Sequence, residues 1–268
     1  MKRCRKPLRF ILAFYLMVVL AACSSTAPKN PAPKVHYLEQ DAINAISLHL
    51  EDEANTALNA ALSWYQSLDD LEGQWRVRYT IASIAFAKDD RAATGKQVDS
   101  LEQLAKQIDS SLIDYKTKLL LGQIRHEDQY FTDALASASS NTQRAVANTY
   151  LGNTVLAISI LDGSGSPGDR AFVYYQYAKS RSGQIQSGNT QSDNEGIAEQ
   201  YFRYSLQAYK LAEDPRGVAD ALLSIARIKA ENHELDAAND FGRRAINALE
   251  AAGQAGRADA VKSWLSTL

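Results

Sequence analysis

Residues 214–249, DPRGVADALLSIARIKAENHELDAANDFGRRAINAL, predict two helices joined by a short turn. Asp214 is a favourable N-cap, and Pro215 suits the first helical position because its missing N–H has no helical partner there. Apolar residues three and four positions apart line one face of each helix. They are Val218, Leu222 and Ile225 in the first helix, and Leu235, Ala238, Phe241, Ala245 and Leu249 in the second, with the turn at Asn232-His233.

The same pattern of short amphipathic helices and polar turns extends outward through the chain. An early stripe consists of Ala54, Leu58, Ala61, Leu62 and Tyr65. Residues 172–177, FVYYQY, are β-prone by composition, but a lone strand among helices has no ladder partner. We therefore expect this segment to be helical and the fold class to be all-α.

A pattern of small and aromatic residues recurs on these helices. Leu121-Gly122 is followed by Phe131 and Ala134, and Leu151-Gly152 repeats the Leu-Gly step. The pattern resembles the tetratricopeptide repeat, in which two helices pack antiparallel with small residues at their closest approach. The resemblance implies a right-handed superhelical array of antiparallel helix pairs, a TPR-like α-solenoid. Gly242 stands where that family usually has an aromatic residue, and an irregular helical solenoid is the alternative.

The N-terminus has the layout of a secretory signal. A basic head precedes the apolar run Phe10–Leu20, and Ala21-Ala22-Cys23 follows. This layout resembles the lipobox of bacterial lipoproteins, which implies that residues 1–22 are a signal peptide and that Cys23 carries a covalent lipid such as palmitate. An ordinary thiol at Cys23 is the alternative. Ser24 then suggests the outer membrane, and residues 23–35 form a flexible tether.

Charge and composition exclude several classes of partner and ligand. The chain has 29 basic and 31 acidic residues, and residues 1–22 carry five of the basic ones, so the net charge of −2 becomes −7 once they are removed. Such a body is poorly suited to nucleic acid. The four histidines are not paired at metal-ligand spacing, so we expect no metal site and no cofactor beyond the lipid on Cys23.

Two glycine-rich stretches interrupt the helices. Residues 163–168 match the expression G-x-G-x-x-G, but the following stretch has no apolar run that could form the second strand of a dinucleotide site, so a loop is expected. Residues 181–196, RSGQIQSGNTQSDNEG, are predicted to be a flexible polar loop. This loop either divides the repeats into residues 36–180 and 197–268, the latter ending in a capping helix, or is an excursion within one repeat.

A helical-repeat surface would present side chains from each first helix to a concave groove. Placing Ala82, Gly122, Gly152 and Ala226 in turn at the family's glycine position predicts which side chains face it. The candidates are Arg76, Tyr79, Phe86, Lys116, Gln123, His126, Thr149, Asn153, Asp220, Leu223 and Arg227.

These patterns favour a non-enzymatic lipoprotein scaffold, anchored through acylated Cys23 at the periplasmic face of the outer membrane. It is expected to bind a protein or peptide partner and to support assembly or positioning of a cell-envelope complex, by analogy with tetratricopeptide lipoproteins. An α-helical enzyme acting on peptidoglycan and a self-associating structural subunit are the alternatives. No catalytic residue is predicted.

Overall fold

The computed structural model describes residues 32–47, 51–163, 165–186 and 191–268. These residues form helices and connections, and no strand occurs among them. The helices are α1 (Ala32–Ser47), α2 (Glu51–Ser67), α3 (Leu71–Ala87), α4 (Arg91–Gln107), α5 (Ser111–Arg125), α6 (Asp128–Ser137), α7 (Asn141–Tyr150), α8 (Thr154–Ile160), α9 (Pro167–Gln186), α10 (Gln191–Leu211), α11 (Pro215–Glu231), α12 (Leu235–Ala251) and α13 (Ala255–Leu265).

The chain divides into two compact units, with the boundary between Asp70 and Leu71. In the first unit, α1 and α2 pack against each other through small and aliphatic residues, including Ala42, Ala54 and Leu58. The Tyr65 hydroxyl donates a hydrogen bond of 3.0 Å to Glu39, which joins the two helices.

The second unit is an array in which consecutive helices from α3 to α13 pack against one another. Short connections reverse the chain between neighbouring helices, and several contain a residue with positive φ, such as His126 at 57° and His233 at 60°. The predicted all-α fold class is thus confirmed, and the packing matches a TPR-like solenoid. Residues 172–177 lie within α9, as predicted.

Small residues mark the closest helix approaches, as the repeat pattern predicts. A Cβ atom placed on Gly122 would lie 2.5 Å from Cε1 of Phe131, on the next helix. A Cβ on Gly242 would lie 2.6 Å from a methyl group of Leu265. Distances this short are well inside van der Waals contact, so glycine allows α5 to approach α6 and α12 to approach α13.

The largest apolar core lies among α9, α10, α11 and α12. Its fully buried side chains include Phe202, Leu222 and Ile225, with Tyr175 and Tyr209 packed at its edge. The predicted stripe of α11 therefore faces this core. Leu235, which was assigned to the apolar stripe of α12, is instead 41% exposed because it is the first residue of that helix.

The prediction of a loop at residues 181–196 is wrong for most of its length. Helix α9 continues to Gln186 and α10 begins at Gln191, so only residues 187–190 lie outside the described residues. Tyr177 and Ala178 on α9 and Ala198 and Phe202 on α10 are buried. This packing stabilises a helical conformation that the Gly, Ser and Asn residues disfavour by themselves.

Two predicted boundaries also change. The units separate at Asp70, before α3, and not within residues 181–196, because α9 and α10 pack against each other along their lengths. The predicted tether ends earlier than expected, since residues 32–35 already belong to α1. Cys23 and the predicted signal peptide lie outside the described residues.

Within the glycine-rich stretch at 163–168, Gly163, Gly165 and Ser166 belong to the connection between α8 and α9, and Pro167 and Gly168 begin α9. Ser166 caps α9, its hydroxyl oxygen accepting a hydrogen bond from the amide N–H of Asp169 at 3.1 Å. Arg170 donates to the carbonyl oxygen of Gly163 at 2.8 Å. The predicted loop is confirmed at this position, where a helix precedes it and not a strand.

Candidate functional site

Three alternate helices, α9, α11 and α13, present the candidate site. Polar contacts join them: the hydroxyl groups of Tyr175 and Ser224 lie 3.4 Å apart, and Arg257 on α13 pairs with Asp220 on α11. Helices α10 and α12 pack on α11 through the apolar core. The apolar core therefore holds in place the helices that carry the site.

The first pocket of the site has a volume of about 350 Å³ and lies among α9, α10 and α11. Its apolar walls come from Tyr175, the almost fully buried Phe202, and Ile228. Hydroxyl and charged groups complete it. The other lining residues are Lys179, Ser182, Gly183, Ser224, Arg227 and Glu231.

A second pocket of about 200 Å³ adjoins the first, between α11 and α13. Arg227 lines both pockets and so stands at their junction. The second pocket is mainly apolar, and its other lining residues are Leu223, Arg257, Ala260, Val261 and Trp264. We refer to the two pockets together as the C-terminal groove.

Positive charge dominates the rim of the groove. Lys179 and Arg227 are exposed, and within the described part of the chain neither has a hydrogen-bond or ion-pair partner. Arg257 differs, because it forms an ion pair with Asp220 and donates a hydrogen bond of 2.7 Å to the side-chain oxygen of Gln254. Burial raises the pKa of Tyr175 despite its contact with Ser224, so its phenol is neutral at physiological pH.

The structure brings the predicted C-terminal candidates together at this groove. Leu223 lines the second pocket and Arg227 lines both. Asp220 lies beside them as the partner of Arg257. The assignment of Ala226 to a close helix contact is consistent with this arrangement, because Ala226 is fully buried while Arg227 is exposed.

The predicted candidates on α3 lie apart from the C-terminal groove. Arg76 is exposed, whereas Tyr79 is partly buried, with its ring centroid 5.1 Å from that of Trp75. Burial, and then the negative charge of Asp169, raise the pKa of Tyr79. Phe86 is half-buried. These residues line none of the pockets described here.

The candidates on α5 are likewise not gathered into a pocket. Lys116 is exposed, and the side-chain amide of Gln123 donates to the carbonyl of Leu119 at 3.2 Å. His126 ends the helix in the left-handed conformation, and its amide donates to the carbonyl of Gly122. Its position therefore serves the turn between α5 and α6.

The prediction that Thr149 faces a groove is wrong. Thr149 is only 7% exposed, and its hydroxyl donates to the Ala145 carbonyl at 2.8 Å. Helix α7 packs against α6, α8 and α9, and Thr149 lies among its buried residues, whereas Asn141 and Arg144 are exposed. Asn153 is exposed between α7 and α8 and lines a separate open cavity with Val155 and Leu156.

Sequence reasoning missed the contribution of α9 to the groove. Tyr175, Lys179 and Ser182 follow one another at spacings of four and three, which places them on one helical face. This spacing was visible in the sequence. The expected loop at residues 181–196 excluded only Ser182 from this helical face. Trp264 was missed too, although it lies on α13, the helix that was expected to cap the array.

Among the described residues, no group of three His, Cys, Asp or Glu side chains is placed to hold a metal ion. None of the helices in the described ranges combines the length and apolar character needed to cross a bilayer.

Comparison with known proteins does not assign the chain to a family. No family model matches the sequence, and no curated protein is significantly similar to it.

Proposed function

We propose that this protein is a non-enzymatic scaffold that binds a protein partner through its C-terminal groove. The observation that carries this proposal is the pair of adjoining pockets that share Arg227. Their lining residues come from four helices, α9, α10, α11 and α13, so the two pockets together suit an extended segment of a polypeptide better than a small compact ligand.

The composition of the groove supports peptide binding. The partly exposed apolar surfaces of Tyr175, Leu223 and Trp264 offer burial for side chains. The hydroxyl oxygens of Tyr175 and Ser224 offer acceptors to backbone N–H groups, since Ser224 donates its own proton to the Asp220 carbonyl at 2.8 Å. Partly buried aromatic residues and arginine are the side chains that most often dominate binding energy at protein interfaces.

The proposed location comes from the N-terminal sequence. The signal-like segment ending at Cys23 supports a lipid anchor, and Ser24 supports the periplasmic face of the outer membrane. Anchoring there would hold the groove close to other envelope proteins. The partner is then a component of an envelope complex whose assembly or position depends on the scaffold.

Site-specific photo-crosslinking in intact cells tests the groove. A benzoylphenylalanine placed at Lys179 or Ala260 reports on the groove, and one placed at exposed Arg243 on α12 is the control. We expect Lys179 and Ala260 to crosslink the same envelope protein, and Arg243 not to. Equal labelling at all three positions, or adducts with further copies of this chain alone, would contradict the proposal.

A separate experiment tests the anchor. Cys23→Ala should remove the lipid, so the protein should leave the membrane fraction or accumulate as the unprocessed precursor. Cys4→Ala is the matched control, because Cys4 lies within the predicted signal peptide. Mass spectrometry of the N-terminal peptide should show acyl chains only when Cys23 is present. A processed Cys23→Ala protein that stays on the membrane would rule out the lipid anchor.

A further inference from the structure

We infer that the C-terminal groove selects an acidic peptide segment, with a carboxylate at Arg227 and a large apolar side chain on each side of it. This inference rests on the proposed function and specifies the chemistry of the partner. It comes from the placement of one unpaired guanidinium at the junction of two pockets with apolar walls.

Arg227 is the centre of the inferred contact. It is exposed, it lines both pockets, and it has no hydrogen-bond or ion-pair partner in the described ranges. A guanidinium presents its N–H groups in a planar fork that matches a carboxylate. A peptide segment that lies across both pockets therefore meets the Arg227 guanidinium, which favours Asp or Glu at that position of the segment.

The surrounding charges strengthen this preference. Lys179, also without such a partner in the described residues, adds a second cation to the first pocket. Glu231 is the one acidic residue lining that pocket, and Arg257 of the second is already paired with Asp220. The chain as a whole carries a net charge of −2, so this positive character is local to the groove.

The walls of the pockets specify what flanks the carboxylate. The partly exposed ring of Tyr175 contributes to the first pocket, and the partly exposed Leu223 and Trp264 contribute to the second. An apolar side chain entering either pocket removes this surface from water, whereas a bare phosphate or acetate would leave it exposed. An apolar, acidic, apolar order along the segment satisfies both pockets and the junction together.

Selection from a displayed library of random peptides tests this chemistry, with detergent-solubilised full-length protein as the target. We expect enriched sequences to contain Asp or Glu flanked by large apolar residues. A synthetic peptide of the enriched sequence should bind about tenfold more weakly to Arg227→Met, the loss expected for a hydrogen bond between charged groups. Arg216→Met, an exposed arginine near the start of the same helix, should bind like the wild type.

A double-mutant cycle separates a direct contact from a structural effect. Replacing the acidic residue of the peptide by its amide should weaken binding to the wild type to the same degree. It should add little further loss with Arg227→Met, because the contact is already absent. Independent, additive losses would overturn the inferred contact.

The selection also distinguishes failure of this inference from failure of the proposed function. Enrichment of neutral or basic peptides that compete with crosslinking at Lys179 would overturn the acidic preference while leaving peptide binding in the groove intact. A crosslinking result confined to copies of this chain would instead contradict the proposed function on which the inference rests.

Discussion

Helices α9–α12 and helices α6–α8 belong to the same array, but they are stabilised in different ways. The C-terminal helices are long, from 17 residues in α11 to 21 in α10, and they enclose large apolar side chains such as Phe202 and Ile225. The middle helices have 7 to 10 residues. Their packing includes nearly buried polar residues, among them Thr142 and Asn148.

This difference explains where the candidate site lies. A long helix has residues that do not take part in the apolar core. Lys179 and Ser182 on α9 are such residues, and they line the first pocket. Helix α8 is short, and its Val155 is 61% exposed. The open cavity that Val155 lines has no charged residue in its lining. An apolar core under long helices thus leaves one face free for binding.

The largest expected effect is the loss of core packing in the C-terminal helices. Ile225→Ala removes a fully buried side chain, and we expect it to lower the free energy of unfolding by about 3 kcal/mol. Hydrogen exchange measured by mass spectrometry should become faster in α9–α12 and change little in α3–α5, because neighbouring repeats contribute separately. Val155→Ala, at an exposed apolar position, is the control, and an equal effect there would contradict the assigned core.

The close contact between α5 and α6 can be tested by adding a methyl group at Gly122. Gly122→Ala places a Cβ atom 2.5 Å from Phe131, so Phe131 must move, and we expect a loss of about 2 kcal/mol in the free energy of unfolding. Gly95→Ala on α4 is the matched control, because no atom lies within 4 Å of its added Cβ. Alanine there should stabilise the helix by up to about 1 kcal/mol. Urea titrations showing the same sign for both variants would contradict the packing of α5 on α6.

The sequence predicts the fold best where the apolar pattern is regular. Leu222 and Ile225 lie in the core as their spacing indicates, and Gly122 faces Phe131 as the repeat pattern indicates. The polar composition of residues 181–196 was misleading because packing between α9 and α10 determines the structure there. Local composition does not report such long-range contacts.

Prediction of the candidate site depended on the phase of each repeat. Leu223 and Arg227 line the groove because α11 has a clear apolar face that fixes its rotation. Thr149 was misassigned because α7 packs against three helices, and its exposed residues, Asn141 and Arg144, lie at other positions of the helix. The contribution of α13 required the structure, since the distance along the chain gives no sign that Arg257 meets Asp220.

A buried polar contact of the middle region gives a smaller expected effect. The Tyr115 hydroxyl donates to the carbonyl of Gln143 at 2.9 Å and so joins α5 to α7. Tyr115→Phe leaves that carbonyl without this donor, and we expect a loss of about 1 kcal/mol in the free energy of unfolding. Tyr204→Phe, on the exposed side of α10, should change stability by less than about 0.5 kcal/mol. Equal values for the two variants would contradict a stabilising role for polar contacts in the middle helices.

The smallest expected effect concerns the ion pairs that supplement the C-terminal core. Glu199 on α10 accepts hydrogen bonds from Arg203 at 2.6 Å and pairs with Lys229 on α11 at 3.1 Å. Burial acts to raise the pKa of Glu199, but these two cations outweigh it, and the pKa lies below its ordinary value of 4.5. The folded chain therefore binds this proton less tightly than the unfolded chain does.

The sign of this pH dependence follows directly. The stabilisation is complete above the ordinary pKa of 4.5 and is lost as the pH falls through the lower pKa of the folded state. Glu199→Gln should lower the free energy of unfolding at neutral pH by less than about 1 kcal/mol, since the pair is partly exposed to solvent. The difference from the wild type should shrink as acid protonates Glu199. A difference that grows as the pH falls would contradict the assigned ion pairs.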